Sequence, residues 1–331
     1  MQLSLKVGII GFGKIGQIHW EHLKEIPEVE CLAIAERASG SGWEAKIPSE
    51  IHCFNDWREM LALAELDAVI ICLPHALHTE CAEAAMQAGK HVFLEKPLAT
   101  KLEDAQNLLR IAEENRLRLM VNMTHRFYPP LLRAKELLQQ GVIGQVISVR
   151  DYYMEGITRS EFPAWFFDPE LAGGGVAMTD SIHLVDRVSW LLEEPLKYAG
   201  GVGHKLSPES EVEDCAEILC HSASGIPITI GSFFFTGPKT WEDGLTLFGT
   251  KGVIHVQAWS HVEWRLYNGT PQREEGYSVA KEARALVGLR AALEEFIVAL
   301  REGRETKSDG VSVLNAQEVI EAFYREEGNI L

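Results

Sequence analysis

LKVGIIGFGKIGQIHWEHLKEI, residues 5–26, decides the fold. An apolar run, KVGII, leads at once into GFGKIG, Gly11 to Gly16, and then into an amphipathic helical pattern. A G-x-G-x-x-G triplet between a strand and a helix is a dinucleotide fingerprint, because each glycine answers a different need. Gly11 permits a tight turn, Gly13 lets main chain approach a pyrophosphate, and Gly16 lets helix touch strand. The pyrophosphate is expected over Gly13, Lys14 and Ile15, beside Gly11 and Phe12, since the N–H groups of a helix N-terminus bind anions without any net positive surface.

Outward from this turn the chain alternates short apolar runs with helical patterns. VECLAIA, a helix near Trp57 to Leu66, DAVIICL, a helix near Thr79 to Ala88, HVFLE, a helix from Leu102 to Asn115 and RLRLMVN follow in order. This βαβ rhythm predicts a parallel sheet covered on both faces. After Asn122 the character changes. A helix near Pro130 to Gln140, the strand IGQVISVRDYY and a helix opened by three glycines come first. Close-set strands near Glu217 to Cys220, Ile226 to Phe235, Leu245 to Phe248 and Gly252 to Val256 follow, with turns at SASGIP and GTKG. They predict a mostly antiparallel second sheet. Helices near Arg290 to Arg301 and Ser312 to Arg325 end the pattern.

The 31 basic and 48 acidic side chains give a formal charge of −17. Such a balance repels nucleic acid and anionic membrane surfaces, and neither partner is expected. The six cysteines form no C-x-x-C pair, and several sit in apolar runs, which suits a reducing compartment. With no long apolar stretch and no signal-peptide pattern at the N-terminus, a cytoplasmic protein is expected.

In open α/β sheets ligands bind beyond the carboxyl ends of the strands. Glu36 ends VECLAIAE, where a carboxylate accepts hydrogen bonds from ribose hydroxyls and favours NAD. The neighbouring Arg37, assisted by Ser39, keeps NADP open by offering a 2′-phosphate contact. Leu73, Pro74, His75 and His78 follow one strand, and Glu95 and Lys96 follow another, so all six are expected near the cofactor. Lys96 precedes Pro97, which holds it extended, with its ammonium in reach of a substrate oxygen. Farther on, Thr179 and His183 are spaced i, i+4, and His183 has Asp180 and Asp186 at i, i±3, so all three can touch the imidazole on a helix. A neutral imidazole can take the proton of a hydroxyl whose carbon is being oxidised.

Together GFGKIG, AGKHVFLEKPLAT (Ala88 to Thr100), HRFYPP (His125 to Pro130) and ELAGGGVAMTDSIHLVDRVSWL (Glu170 to Leu191) resemble the glucose-fructose oxidoreductase, inositol dehydrogenase and MocA family over nearly the whole chain. The resemblance implies an α/β protein: an N-terminal Rossmann domain with a doubly wound parallel sheet, 1–123, and a C-terminal α/β domain with an open sheet, 124–331, for substrate binding and oligomerisation. It implies an NAD(P)-dependent dehydrogenase acting on CH–OH groups of a sugar, cyclitol or related polyol, often a homodimer or homotetramer. Lys96 falls on the family's catalytic lysine and His183 on its acid-base histidine.

Two departures from the family pattern stand out. Where the family carries an aspartate four residues before the histidine, this chain has Thr179, with Asp180 one position later. Either Thr179 bonds substrate with Asp180 in support, or Asp180 takes over the role. Thr179 is the preferred contact, because register is hard to change upstream of a helix in progress. The family's asparagine and arginine before Arg126 are replaced by Thr124 and His125, while Arg126, an expected cofactor contact, is retained. Tyr152, Arg159, Glu161 and Trp165 lie where the family's substrate wall would be, and Tyr152 and Trp165 join Lys96, Thr179 and His183 as expected substrate contacts. No metal-binding pattern is present in the sequence. Two other activities fit the same residues: a cofactor-binding sensor without chemistry, and NAD-assisted elimination or hydrolysis of a glycoside.

Overall fold

The computed structural model describes residues 4–37, 43–44, 47–207, 210–276 and 283–327; Ser39 lies outside them. The chain forms two compact units, Met1–Asn122 with Leu289–Leu314, and Met123–Gly288 with Asn315–Leu331.

The first unit follows the expected alternation: β1 Leu5–Ile10, α1 Lys14–Leu23, β2 Val29–Ala35, β3 His52–Phe54, α2 Trp57–Leu61, β4 Ala68–Ile71, α3 His78–Gln87, β5 His91–Leu94, α4 Leu102–Glu114 and β6 Leu119–Val121. Its six parallel strands lie in the order β3-β2-β1-β4-β5-β6. This is the doubly wound order, and the strand sequence reverses between β1 and β4. All four residues of β4, AVII, are buried, and so are Val7, Ile9 and Ile10 of β1. A parallel strand packed on both faces has no polar side, so these runs read as continuous apolar sequence.

The second unit holds α5 Pro129–Gln139, β7 Val146–Ile157, α6 Pro169–Ala172, α7 Ile182–Leu192, and the strands β8 Leu196–His204, β9 Cys215–Ser222, β10 Pro227–Thr236, β11 Thr240–Gly249, β12 Gly252–Gln257, β13 His261–Leu266 and β14 Gln272–Glu275. They form one sheet ordered β14-β13-β12-β11-β7-β10-β9-β8. Only the central β7–β10 pair is parallel; the other pairs are antiparallel. One face carries Val149, Asp151, Ile228, Ile230, Leu245 and Leu247, all buried. Asp151 on that face reaches Arg187 of α7, so this is the face that the helix covers. Residues of opposite parity, such as Tyr152, point the other way.

Two late helices, α8 Arg284–Glu302 and α9 Gly310–Glu327, carry the chain from one unit to the other. The single division expected at 123/124 therefore needs correcting, because Leu289–Leu314 packs with the first unit. Phe296 of α8 is fully buried, its ring 5.4 Å from that of Phe93 on β5, and Ser308 Oγ donates to Val121 O at 2.7 Å. An apolar helix stripe announces burial but not the sheet that will bury it. Short or exposed strands also escaped the sequence reading: β3, β8, β13 and β14, the last exposed throughout. The helix at Trp57 stops at Leu61, short of Leu66. Among the described residues no helix is long and apolar enough to cross a membrane.

Phe296→Ala should remove about 3–5 kcal/mol of stability, the usual cost of emptying a buried aromatic site. Urea unfolding monitored by circular dichroism measures it, and a loss below about 1 kcal/mol would mean that α8 does not anchor the first unit.

Candidate functional site

In the turn after β1 each glycine is demanded by its surroundings. A Cβ on Gly11, where φ is +88°, would lie 2.3 Å from Cys72 O, and one on Gly16 would lie 2.0 Å from Gly11 O. Gly13, the N-cap of α1, has nothing within 4 Å of a Cβ position, so space is open in front of main-chain N–H groups at the helix N-terminus. That open cradle fits a dinucleotide pyrophosphate. Lys14 is exposed and Ile15 half-buried beside it. The Phe12 ring is packed away between Trp20 and Trp43, at 5.8 and 5.6 Å, and its N–H donates to Glu36 Oε2 at 2.6 Å. Glu36 therefore closes the turn as well as ending β2, with Arg37 exposed next to it.

Beyond β4, Leu73 and Pro74 are partly exposed, whereas His75 and His78 are buried. The His78 ring is turned inward, with Nδ1 2.8 Å from Pro97 O and Nε2 2.9 Å from Leu73 O. Burial lowers its pKa, against the pull of those two carbonyls. Glu95 also serves the interior. Its Oε1 meets His19 Nε2 at 3.1 Å and accepts from Asn122 Nδ2 at 2.6 Å. Burial pushes the Glu95 carboxyl up, but the His19 and Asn122 bonds prevail and hold it below its ordinary value. The carboxylate is thus a strut beneath Lys96, which is itself half-buried. His19, Cys72 and Glu95 offer ligand atoms within 4.8 Å of one another. The Glu95 oxygen in that group already accepts from Asn122, and the Cys72 thiol is pushed well up by burial, so a hydrogen-bonded network explains the cluster.

In the second unit the glycines before α7 answer to a carboxylate. Glu213 accepts from Gly175 N at 2.9 Å, Ala177 N at 3.0 Å and Tyr324 Oη at 2.6 Å. A Cβ on Gly174 would lie 2.1 Å from that tyrosine oxygen, and one on Gly175 would lie 1.8 Å from Glu213 O. Ala177–Ser181 then form a π turn ahead of α7. Spacing drawn from an α-helix does not hold through such a turn, and Thr179, the preferred substrate contact, is turned inward. Thr179 is fully buried, and its hydroxyl is shared between Gly175 O at 3.1 Å and Asp180 Oδ2 at 2.7 Å. Asp180 is the partly exposed member of the pair, its carboxylate oriented by Thr179.

Other placements also differ from expectation. Arg126, expected at the cofactor, is buried, with Nε and Nη2 on Asp186 at 2.9 and 2.6 Å, and braces α7 from within. Asp186 accordingly answers Arg126. Tyr152 stands on the sheet face turned away from α7, where it donates to Glu242 at 2.7 Å. Tyr153, one residue on, is the tyrosine of the helix-covered face: its ring is 5.4 Å from that of Trp259, and its hydroxyl donates to Glu155 at 2.6 Å. Burial, then the charges of Asp180 and Glu155, push the Tyr153 phenol far up, so it remains a donor. Trp165 is half-buried against Phe166 at 5.8 Å, Arg159 lies over the Phe167 ring at 4.2 Å, and Glu161 is exposed near Lys239.

His183 therefore sits in a corner of the second unit with Asp180 at the helix head. The ring of His125 is stacked on it, and Trp259 lies 5.6 Å from His125. Beneath is a buried ion pair: Arg187 donates from Nε to Asp151 Oδ2 at 2.7 Å and from Nη2 to Oδ1, and its Nη1 lies 3.9 Å from Asp243. Sequence reasoning missed Tyr153, Asp151, Arg187, Asp243 and Trp259. Strand parity alone could have exchanged Tyr152 for Tyr153, and a charged Arg187 on an otherwise apolar helix face signalled a buried partner.

Residues 5–123 match the family model described as an oxidoreductase family with an NAD-binding Rossmann fold, and residues 131–255 match the GFO/IDH/MocA C-terminal domain. The chain is 29% identical over 320 residues to 4-carboxy-2-hydroxymuconate-6-semialdehyde dehydrogenase of a Sphingobium species, covering 96% of each chain. It is 23% identical over 329 residues to inositol 2-dehydrogenase of Rhizobium meliloti, covering 98% of this chain and 97% of the relative. A crystallised levoglucosan dehydrogenase in complex with NADH and levoglucosan superposes with a TM-score of 0.87 at 21% identity, over 98% of this chain and 97% of that one, and so shares the fold.

Asp243 gives the second unit a pH signature. Burial raises its carboxyl from 3.8 to about 6, against the pull of Arg187. A carboxyl whose folded pKa exceeds its unfolded value holds its proton more tightly when folded. Its contribution favours folding below about pH 4, declines as pH rises to about 6, and is then constant. Asp243→Asn should flatten that decline in urea midpoints measured from pH 4 to 7. Parallel profiles for the two proteins would contradict it.

Proposed function

The chain belongs to the GFO/IDH/MocA oxidoreductase family, and on that premise we propose that it is a dehydrogenase of a hydroxyl-bearing carbon in a sugar, cyclitol or related polyol, with NAD as the preferred dinucleotide. The observation that carries the reading is the head of α7, where a partly exposed carboxylate, Asp180, three residues before His183, is oriented by the buried Thr179. A carboxylate accepts hydrogen bonds from neighbouring hydroxyls, and an imidazole accepts the proton of the one that reacts. The inositol and levoglucosan dehydrogenases among its relatives support that substrate class.

The turn over Gly11, Gly13 and Ile15 would hold the dinucleotide, and a nicotinamide bound there supplies the redox chemistry. Glu36, at the end of β2, favours the free ribose hydroxyls of NAD over a 2′-phosphate, which its charge repels. His183 takes the hydroxyl proton at its imidazole and returns it in the reverse direction. Lys96, at the mouth of β5, lends a positive charge to a developing alkoxide. Asp180 holds an adjacent hydroxyl, and Thr179 holds Asp180. Self-association suits the uncovered face of the second sheet, which exposes Tyr152, Val202 and Leu219 in neighbouring rows. Six free thiols, two of them buried, suit a reducing, cytoplasmic setting.

Lys96→Met should lower kcat on an active polyol about 10²- to 10⁴-fold while NADH binding, followed by fluorescence, stays within about two-fold. Unchanged turnover would remove Lys96 from the chemistry. Glu36→Ala should raise the ratio of NADP to NAD kcat/KM by about ten-fold or more, one lost discriminating contact. An unaltered ratio would mean that cofactor choice is made elsewhere.

A further inference from the structure

His183 does not stand alone. Its imidazole lies against that of His125 with ring centroids 4.6 Å apart and planes 19° from parallel, and both rings are buried, 9% and 5% exposed. His125 is gripped in turn. Arg187 Nη1 lies 3.4 Å from its Nδ1, and the rings of Tyr128 and Trp259 meet it at 5.4 and 5.6 Å. A guanidinium has donors only and keeps its charge. The Nδ1 that it addresses is therefore an acceptor, and the His125 proton belongs on Nε2. Protonating His125 would set one cation against another and break that bond.

We propose that His125 is a positioning residue for His183: a second imidazole, held neutral by Arg187, whose flat face fixes the plane in which His183 meets the reacting hydroxyl. The inference rests on the reading of His183 as the acid-base group. The torsion that turns an imidazole about its Cβ–Cγ bond is broad and weakly restrained by itself. A general base must present its nitrogen within hydrogen-bond reach of one proton, so a neighbour that removes this freedom assists the reaction without touching the substrate.

The charges facing the two rings leave the Arg187 cation in place beside His125. From α7 and the turn at 124–127, Asp186 and Arg126 neutralise each other. From β7, Asp151 balances Arg187, and the Tyr153 phenol stays protonated. From β11, Asp243, whose carboxyl burial raises to about 6, faces the outer nitrogen of Arg187, and Tyr128, after the turn, is pushed up by burial and stays neutral. Asp180 is left as the carboxylate on the His183 side of the stack. The cation next to His125 is thus permanent.

Two variants and one titration test this. His125→Phe keeps a flat ring and loses Nδ1, whereas His125→Leu keeps apolar bulk and loses the flat face. With folding checked by circular dichroism, the leucine variant should lose about 10- to 100-fold in kcat with KM within about two-fold, and phenylalanine should restore turnover to within about three-fold of the parent. Equal behaviour of the two variants would overturn the stacking role. In proton NMR of the full chain with NAD, the His125 C2 proton, assigned by its loss in His125→Phe, should not titrate between pH 5 and 8. A His125 that titrates near the ordinary histidine value of about 6.5 would overturn the neutral second ring. The NMR arm uses no substrate, so it still decides the state of His125 if the polyol reading itself fails.

Discussion

A guanidinium with no solvent exposure must be neutralised where it lies, and Arg187 obliges the second unit to be built around it. Removing one partner of such a pair costs about 3–5 kcal/mol, because the survivor is left charged and buried. Asp151 supplies the neutralisation from the centre of the sheet, at the one parallel contact, so the bidentate bond ties α7 to β7 at a single register. Arg126 and Asp186 brace the same helix from the turn at 124–127. Between these two braces His183 emerges stacked on His125, above buried ion pairs.

The first unit reaches the same end by other means. Its glycine turn is specified by main chain, with Gly11 against Cys72 O and Gly16 against Gly11 O. Carboxylates then hold the pieces: Glu36 takes the Phe12 N–H, and Glu95 joins His19 to Asn122 beneath Lys96. His78 bridges the ends of two strand loops through carbonyls. Several residues that stand at strand mouths therefore form the support of the mouth, while Gly13, Lys14, Ile15 and Lys96 keep some exposure there.

Elements with strong local signals were legible from sequence. The apolar strands of the first sheet, the glycine turn and the long helices carry their periodicity in the chain, and their order implied the parallel sheet. Weak strands such as Gln272–Glu275, exposed at the sheet edge, carry no apolar pattern to read. The return of Leu289–Leu314 to the first unit depends on which partner fits Phe296, a tertiary choice. At the site, residue type pointed to His183, Lys96 and Glu36. It did not show that Thr179 turns inward, because the π turn departs from the α-helical spacing on which that reading depended. Tyr152 and Tyr153 differ only in parity, and parity is set by the partner of Asp151.

The most direct measurement is the fate of the hydrogen on the reacting carbon. A polyol deuterated at that carbon, turned over with unlabelled NAD and analysed by mass spectrometry, should yield reduced dinucleotide carrying the deuterium, with none released to water. Deuterium lost to solvent, or retained in the product while the dinucleotide stays oxidised, would contradict a dehydrogenase at this site.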